Sequence, residues 1–440
     1  MKHKNIGKVN IGMIGFGYIA RGVFDLISSQ KEYIAKKIGR ELNIVRIAEK
    51  DSRKLESMPG EIPGGIKISA DAADIYGDPE VDIVVELIGG VDPAYDIVMR
   101  SLKAGKYVVT ANKDLIANRG GDIHRTAEEN NVDILFEASV LGGIPIVGPL
   151  KTTLASDKIY KIVGIVNGTT NYILTRMTKE GLSFEKALLV AQELGYAEKA
   201  NPSSDIEGYD AACKLAILSS IAFNSRVMVD DVYREGITRI TASDIKYAAE
   251  MGYSIKLLAI GSEEDGEIFV RVHPALIPAS HILASIDDVF NAVYVYGKYI
   301  DRVMSYGRGA GDRATASSVV GDIISIARNF DRQKKGMIFG CSCFEQKKVR
   351  TVDKAISKFY IVLDVVDRPG VLAKIAQIFG RYNVSINSMI QKQTDMENMA
   401  KLIFITHEAA NKDLYRSVDE LSKLDIVDRV ANIIRVEDLD

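Results

Sequence analysis

Over roughly the first 145 residues, short β-rich apolar runs alternate with helical patterns. "VNIGMIG" (9–15), "LNIVRIAE" (42–49), "VDIVVELI" (81–88), "KYVVTAN" (106–112) and "VDILFEA" (132–138) read as strands. Helical segments between them predict a parallel sheet with helices on both faces. A second region opens near "GGIPIVGPL" (142–150) and carries two more strand signals, "KIYKIVGIVNG" (158–168) and "EIFVRVHPALI" (267–277). Long helical patterns surround these, so an α/β region with an open sheet is expected. Its last helix, "GDRATASSVVGDIISIARNF" (311–330), reads as a return to the first region over about 305–335.

After a connector at 336–356 the pattern changes again. "KFYIVLDVV" is a strand, "RPGVLAKIAQIFGRY" a helix, and "VSINSMIQKQ" and "MAKLIFITH" are strands. "NKDLYRSVDELSKL" is a helix and "RVANIIRVE" a final strand. That order, βαββαβ, is the ferredoxin-like arrangement. The expected domains are therefore 1–145 (with the return), 146–335 and 357–440, all of α/β class. No repeat of solenoid length is evident.

Composition narrows the setting. A chain of 440 residues is too long for one core. A net charge of −3 gives no general attraction to nucleic acid or acidic membranes. Three cysteines, two of them in "CSC" (341–343), form no disulfide framework, which fits a reducing cytoplasm. No signal-peptide pattern opens the chain, and no apolar run reaches the ~18 residues of a membrane span. A cytoplasmic location is expected.

Candidate chemistry begins at "GFGYIA" (15–20), which follows a strand and opens a helix. This is the dinucleotide-binding fingerprint in its proper context, so the first domain is read as Rossmann-like. Gly15 permits the tight turn, and Gly17 lets backbone N–H groups at the helix start approach a pyrophosphate, with Phe16, Tyr18 and Ile19 beside them. Ala20 fills the third position. The second strand ends in "AEKDSRK" (48–54), later than usual because the first helix reads as long. Glu49 or Asp51 could bind a ribose hydroxyl, favouring NAD. Lys50, Arg53 and Lys54 could instead hold the 2′-phosphate of NADP, and they tip the reading slightly toward NADP.

In "SDIEGYDAACK" (204–214), Ser204 and Glu207 have capping-box spacing and predict a helix start there. Asp205 then lies in the first turn, where the helix dipole favours it. Asp210 and Lys214 are four apart and share a face. Such a pair is commonly a solvent-side ion pair, but "AACKLAILSSIAF" is apolar nearly all round. A lysine buried beside a carboxylate keeps its proton, which suits a donor to a carbonyl being reduced by hydride. Lys113 in "TANKDL" sits just past the carboxyl end of a sheet strand, where open α/β sheets bind ligands.

These segments, with "FEASVLGGIPI", "GIVNGTTNYIL", "LGYAE", "FNAVYVYG" and "YGRGAG", resemble in order the motifs of homoserine dehydrogenase over about residues 9–330. The resemblance implies NAD(P)-dependent interconversion of homoserine and aspartate 4-semialdehyde, a step toward threonine and methionine. It assigns Lys214 as proton donor, Asp210 and Asp205 as substrate contacts, and Lys113 as the lysine near the nicotinamide. Glu198 would bind the substrate ammonium, Gly195 would contact both substrate and cofactor, and Thr110 and Gly311 would lie by the cofactor. "EASVLGGI" would bind a structural monovalent cation, Na⁺ or K⁺, through Glu137, Val140, Gly142 and Ile144. One departure is an extra residue in "KAN" after Glu198, which brings Lys199 toward a position where the family has a carboxylate. Cys213 stands where the family often has Arg and is read as pointing away from substrate.

The tail segment "VVDRPGVLAKIAQIFGRYNVSINSM" resembles the ACT domain, a module that binds amino acids. Asp367-Arg368-Pro369-Gly370 turns from strand to helix and exposes N–H groups of the first turn, at Val371 and Leu372, to a carboxylate. Asn387 would assist from a facing module. In this family such tails commonly confer inhibition by threonine; pure dimerisation is the other reading of the module. A monofunctional homodimer or homotetramer is expected, acting on a small molecule and without nucleic-acid or membrane partners. The alternative from another class is a catalytically weakened amino-acid sensor on the same scaffold.

Overall fold

The computed structural model describes residues 7–330, 340–352, 355–393 and 398–439. Residues 331–335 of the expected return, and 336–339 and 353–354 of the expected connector, lie outside the described residues.

The first stretch runs β1 (Gly7–Ile14), α1 (Tyr18–Ser29), α2 (Lys31–Ile38), β2 (Arg40–Ala48), α3 (Ser52–Glu61), β3 (Lys67–Ser69) and α4 (Ala73–Tyr76). It continues with β4 (Ile83–Glu86), α5 (Asp92–Lys103), β5 (Tyr107–Thr110), α6 (Lys113–Glu129), β6 (Ile134–Leu135), α7 (Ala138–Leu141) and α8 (Val147–Lys151). The middle holds β7 (Ile159–Ile165), α9 (Gly168–Glu180), α10 (Phe184–Glu193), α11 (Ser203–Ile206), α12 (Tyr209–Ala222), β8 (Tyr233–Arg234) and α13 (Ala242–Glu250). There follow β9 (Tyr253–Glu264), β10 (Glu267–Pro278), β11 (Phe290–Gly297), β12 (Asp301–Arg308) and α14 (Asp312–Asn329). The tail comprises β13 (Lys348–Val349), β14 (Ile356–Val366), α15 (Val371–Arg381), β15 (Ile386–Gln393), β16 (Met399–Thr406), β17 (Ala409–Ala410), α16 (Asn411–Leu421) and β18 (Val427–Val436).

These elements form two compact units: Met1–Ile162, Cys213–Val229 and Val293–Lys347 in the first, and Val163–Ala212, Asp230–Ala292 and Lys348–Asp440 in the second. The first unit holds a parallel sheet of order β3-β2-β1-β4-β5-β6, the expected Rossmann-like arrangement. Its order reverses between β1 and β4, the switch point at which such sheets bind ligands. Helix α1 buries Ala20, Val23, Phe24 and Ile27, a single apolar stripe. Helix α14 packs closely on it, since a Cβ at Gly22 would meet Ala316 Cβ at 3.1 Å. The long first helix predicted from sequence is in fact two helices, because the chain breaks at Gln30 (φ −110°, ψ 17°).

In the second unit, β9 and β10 form an antiparallel hairpin closed at Asp265 and Gly266, both with positive φ (51° and 76°). Two left-handed residues make the tight turn that matches strand twist. The sequence pattern predicts no strand over Tyr253–Glu264, and burial explains why. Ile255–Ser262 are buried at every position, so the two-residue alternation of a half-exposed strand is missing. The tail is the expected ferredoxin-like fold, an antiparallel sheet of order β18-β14-β16-β15. Helices α15 and α16 pack Ile375, Phe379 and Leu414 against Phe359, Leu402 and Phe404.

The tail sheet is continuous with the β9–β10 hairpin. β18 pairs with β10 in parallel at Ala275↔Arg435 and Leu276↔Val436. Polar side chains lock this junction. Arg271 holds Glu437 with both carboxylate oxygens at 2.9 Å, and Arg435 donates to Glu235 at 3.0 Å. Asn432 donates to Asp244 at 2.9 Å and to the Arg239 carbonyl at 3.1 Å.

Candidate active site

In the first unit, the turn after β1 requires glycine. Gly15 has φ 89°, and a Cβ there would lie 2.9 Å from the Leu87 carbonyl oxygen. Its N–H donates to Ala48 O at 2.8 Å, which ties the turn to the end of β2. Glu49 completes the tie by accepting from Phe16 N at 2.8 Å and Asp51 N at 3.0 Å. Burial works to raise the Glu49 carboxyl pKa, but those backbone N–H groups and Lys54 outweigh it and hold it below the usual value. Gly17 caps α1 with no side-chain cap, and nothing lies within 4 Å of its would-be Cβ. A ligand can therefore approach the backbone at Gly17 and the uncapped start of α1, so these residues fit a dinucleotide with its pyrophosphate there. Tyr18 is exposed, Ile19 half-buried and Ala20 buried. Asp51 is spent as the N-cap of α3, accepting from Arg53 N at 2.9 Å, while the Lys50 and Arg53 side chains are exposed.

Across the switch point, buried Glu86 ends β4 and accepts from Ile88 N at 2.8 Å and from Thr110 Oγ1 at 2.6 Å. Thr110 Oγ1 in turn accepts from Asn112 N at 3.0 Å. Asn112 caps α6 through Leu115 N at 3.0 Å, which fixes Lys113 at the first position of the helix. Lys113 Nζ lies 3.8 Å from Asp114, and the Cys213 thiol of α12 reaches the same carboxylate at 3.7 Å. The residue beside Lys214 is thus packed against the residue beside Lys113. Lys214 is buried, with 9% of its surface exposed. Gly311 (φ 117°) caps α14 with nothing within 4 Å of its would-be Cβ.

In the second unit, the start of α12 differs from the sequence expectation. No capping box forms at Ser204 and Glu207; Ser203–Ile206 make a separate short helix with Pro202 at its N-cap and Glu207 at its C-cap. Asn201, just before that N-cap, accepts from Ser203 N at 3.1 Å. Gly208 (φ 79°) then breaks the chain, and α12 begins at Tyr209. The break brings Asp205 and Asp210 to one donor. Asn167 Nδ2 donates to Asp205 Oδ1 at 2.7 Å and to Asp210 Oδ2 at 2.8 Å. Its own carbonyl oxygen caps α9 through Thr170 N at 2.8 Å. Asp210 is 8% exposed and Asn167 4%, so their bond lies away from water, while the bond to half-exposed Asp205 is part-buried. Gly195 (φ 76°), Glu198 and Lys199 lie on an exposed turn after α10, where the Glu198 carbonyl accepts from Gln192 at 3.0 Å.

The expected cation loop already has protein partners. Glu137 accepts from Ile146 N at 2.6 Å, Val147 N at 2.8 Å and Gly148 N at 2.6 Å. Three of its roughly four lone-pair directions are therefore used. Gly142 O accepts from Ser318 at 2.6 Å, and Ile144 N donates to Leu141 O at 3.0 Å. Val140 is buried within α7. The Glu137 carboxylate is thus largely committed to the loop's own amides. Among the described residues no three His, Cys, Asp or Glu groups converge on a metal position.

In the tail, Asp367, Pro369, Gly370, Val371 and Leu372 line one cavity of about 450 Å³. Asn387 is not among its lining residues. It is the extra residue of a bulge between Ile386 and Ser388, and Gln391 instead reaches Asp367 at 3.2 Å. Sequence reasoning did not single out Asn167 and Glu86, which hydrogen-bond to the candidate residues Asp205, Asp210 and Thr110. An Asn before Gly-Thr-Thr at a helix start signals a cap, and the spare amide of that cap was the available clue.

Comparison with known proteins follows the same lines. Residues 145–324 match the family model for homoserine dehydrogenase, 15–137 that for its NAD binding domain, and 359–425 that for the ACT domain. The homoserine dehydrogenase of Corynebacterium glutamicum is 42% identical across 98% of this chain and 96% of its own. The crystal structure of a homoserine dehydrogenase from Thiobacillus denitrificans matches with a TM-score of 0.92 and 38% identity, over 98% of this chain and 99% of that one. A hyperthermophilic archaeal homoserine dehydrogenase in complex with NADPH matches with a TM-score of 0.62 and 29% identity, over 72% of this chain and 97% of its own.

Proposed function

Because this chain belongs to the homoserine dehydrogenase family, a group of oxidoreductases, we propose that it reduces L-aspartate 4-semialdehyde to L-homoserine reversibly. When bound, the nicotinamide supplies the hydride for reduction, or takes it in the reverse direction. Lys214 gives a proton from its ammonium to the aldehyde oxygen and is left as the amine. Asp210, one helical turn earlier, contacts the substrate and is held in place by Asn167. Asp205 and Glu198 bind the substrate's polar groups, with Glu198 on its ammonium. Lys113 lies by the reacting carbon. The observation that carries this reading is a buried lysine and a buried carboxylate one turn apart on an otherwise apolar helix, a placement that needs pairing or use to offset its cost.

NADP is the favoured cofactor. Lys50 and Arg53 are exposed for a 2′-phosphate, whereas Glu49 is committed to the glycine turn. A monovalent cation, where one binds, is structural and lies at the Glu137 loop. The tail binds an amino-acid effector, with threonine the first candidate, at the turn from Asp367 to Leu372. A homodimer or homotetramer is the proposed assembly.

The test follows nicotinamide absorbance with homoserine and NADP⁺ or NAD⁺, with and without threonine. Lys214→Ala is expected to lower kcat by roughly 10²-fold or more, the range of a lost general acid, while cofactor affinity changes little. Cofactor affinity lost with turnover intact would overturn the role of Lys214.

A further inference from the structure

The sheet of the second unit splits where the tail joins it. β10 and β18 pair at two positions among the described residues and then diverge. A cavity of about 470 Å³ fills the split, walled by β18 from Val430 to Ile434 and by Arg234, Glu235, Arg239, Glu207 and Tyr209. Its volume falls in the range of small-molecule sites, roughly 300–1,000 Å³. The wall carries two guanidinium groups and two carboxylates. These charges are of both signs, which favours neither a phosphate nor a simple cation, and an apolar guest would leave Arg234, Arg239 and Glu207 against apolar surface. A small molecule bearing one charge of each sign matches it.

We infer that this cavity is a second amino-acid site, separate from the Asp367–Leu372 turn, and that it takes a free α-amino acid. The carboxylate of the guest faces Arg234 and Arg239, and its ammonium faces Glu207 and Glu235. One arginine and one carboxylate of the wall are held in place. Arg234 lies 3.4 Å from the centroid of the Tyr209 ring, and Glu235 accepts from Arg435 at 3.0 Å.

The position gives occupancy a route to the substrate carboxylates. Ile237 N donates to Ile206 O at 2.8 Å, and a Cβ at Gly236 would meet that oxygen at 2.3 Å. The segment carrying Arg234 and Glu235 is therefore pressed on the peptide just before Tyr209 and Asp210. The effect on turnover rests on the proposed function; the binding does not.

The test is a thermal melt of the full chain with each standard L-α-amino acid in turn. It is repeated on Asp367→Ala, which damages the turn site, and on Ala431→Trp and Arg239→Glu, which fill or invert the seam cavity. At least one amino acid is expected to raise Tm by roughly 2 °C or more in wild type and in Asp367→Ala. That rise is lost in Ala431→Trp and Arg239→Glu. Arg239 is exposed, so its variant decides the matter should the tryptophan variant fail to melt cooperatively. No stabilisation of Asp367→Ala by any amino acid would overturn the proposal, and so would an undiminished response in Arg239→Glu. Failure of the functional reading shows separately, as absent turnover in wild type.

Discussion

Asn167 has two duties, and replacing it with aspartate separates them. The side-chain oxygen caps α9, while the amide nitrogen bridges Asp205 and Asp210. Aspartate caps a helix about as well as asparagine, so Asn167→Asp keeps the first duty and removes the second. Each lost hydrogen bond to a charged group is worth about 1.5–3 kcal/mol, and a third carboxylate now faces the other two. Asp205 is half-exposed, so the lower end applies, about 3 kcal/mol for the pair. At 1.36 kcal/mol per tenfold, kcat/KM for homoserine should fall by roughly 10²-fold. Asn167→Ala loses the cap as well, at about 1 kcal/mol of stability, but adds no charge, and should retain more activity than the aspartate. Three crowded carboxylates retain a proton in the folded state that the unfolded chain releases near pH 4. The aspartate variant therefore loses stability as pH rises from about 4 toward neutrality. Steady-state kinetics and melts across pH read both effects. An aspartate variant as active as wild type, or more active than the alanine variant, would refute the bridging role.

Glu437 offers a second pH test. Burial works to raise its carboxyl, but Arg271 and His273 outweigh it and hold the pKa at about 2 against an ordinary 4.5. That stabilisation is complete above pH 4.5 and is lost as pH falls toward 2, so wild type should exceed Glu437→Gln by on the order of 3 kcal/mol at pH 7. Melts at several pH values check it, and a gap that does not narrow in acid would contradict the assignment. Gly15→Ala forces a side chain onto a positive φ and against the Leu87 carbonyl. It should weaken cofactor binding at least about tenfold, since 1–3 kcal/mol of strain falls on the turn itself. Nicotinamide fluorescence titration measures this, and unchanged affinity would remove the turn from the cofactor site.

Much of this was legible because local chemistry and tertiary role coincide. "GFGYIA" needs its glycine for a turn that is present in any fold using it, and the βαββαβ order of the tail is written in alternating periods. Legibility failed where packing overrides the local signal. β9 is buried on both faces and so shows no alternation. Ser204 and Glu207 have capping-box spacing, but Gly208 breaks the chain, and Pro202 takes the N-cap position of the short helix. Asn167 looks like an ordinary helix cap because its second pair of contacts lies 38 and 43 residues away. Asp205 and Asp210, by contrast, stood out as charges in an apolar run.

The shared sheet between β10 and β18 bears on whether the tail can be removed. A regulatory module strung on a flexible tether can be cut away. Here deletion after residue 350 would bare the β10 edge from Ala275 to Leu276 and leave Arg271, Glu235 and Asp244 without Glu437, Arg435 and Asn432. Whoever wishes to alter the tail's contribution would therefore do better to change single side chains and keep the tail as part of the scaffold.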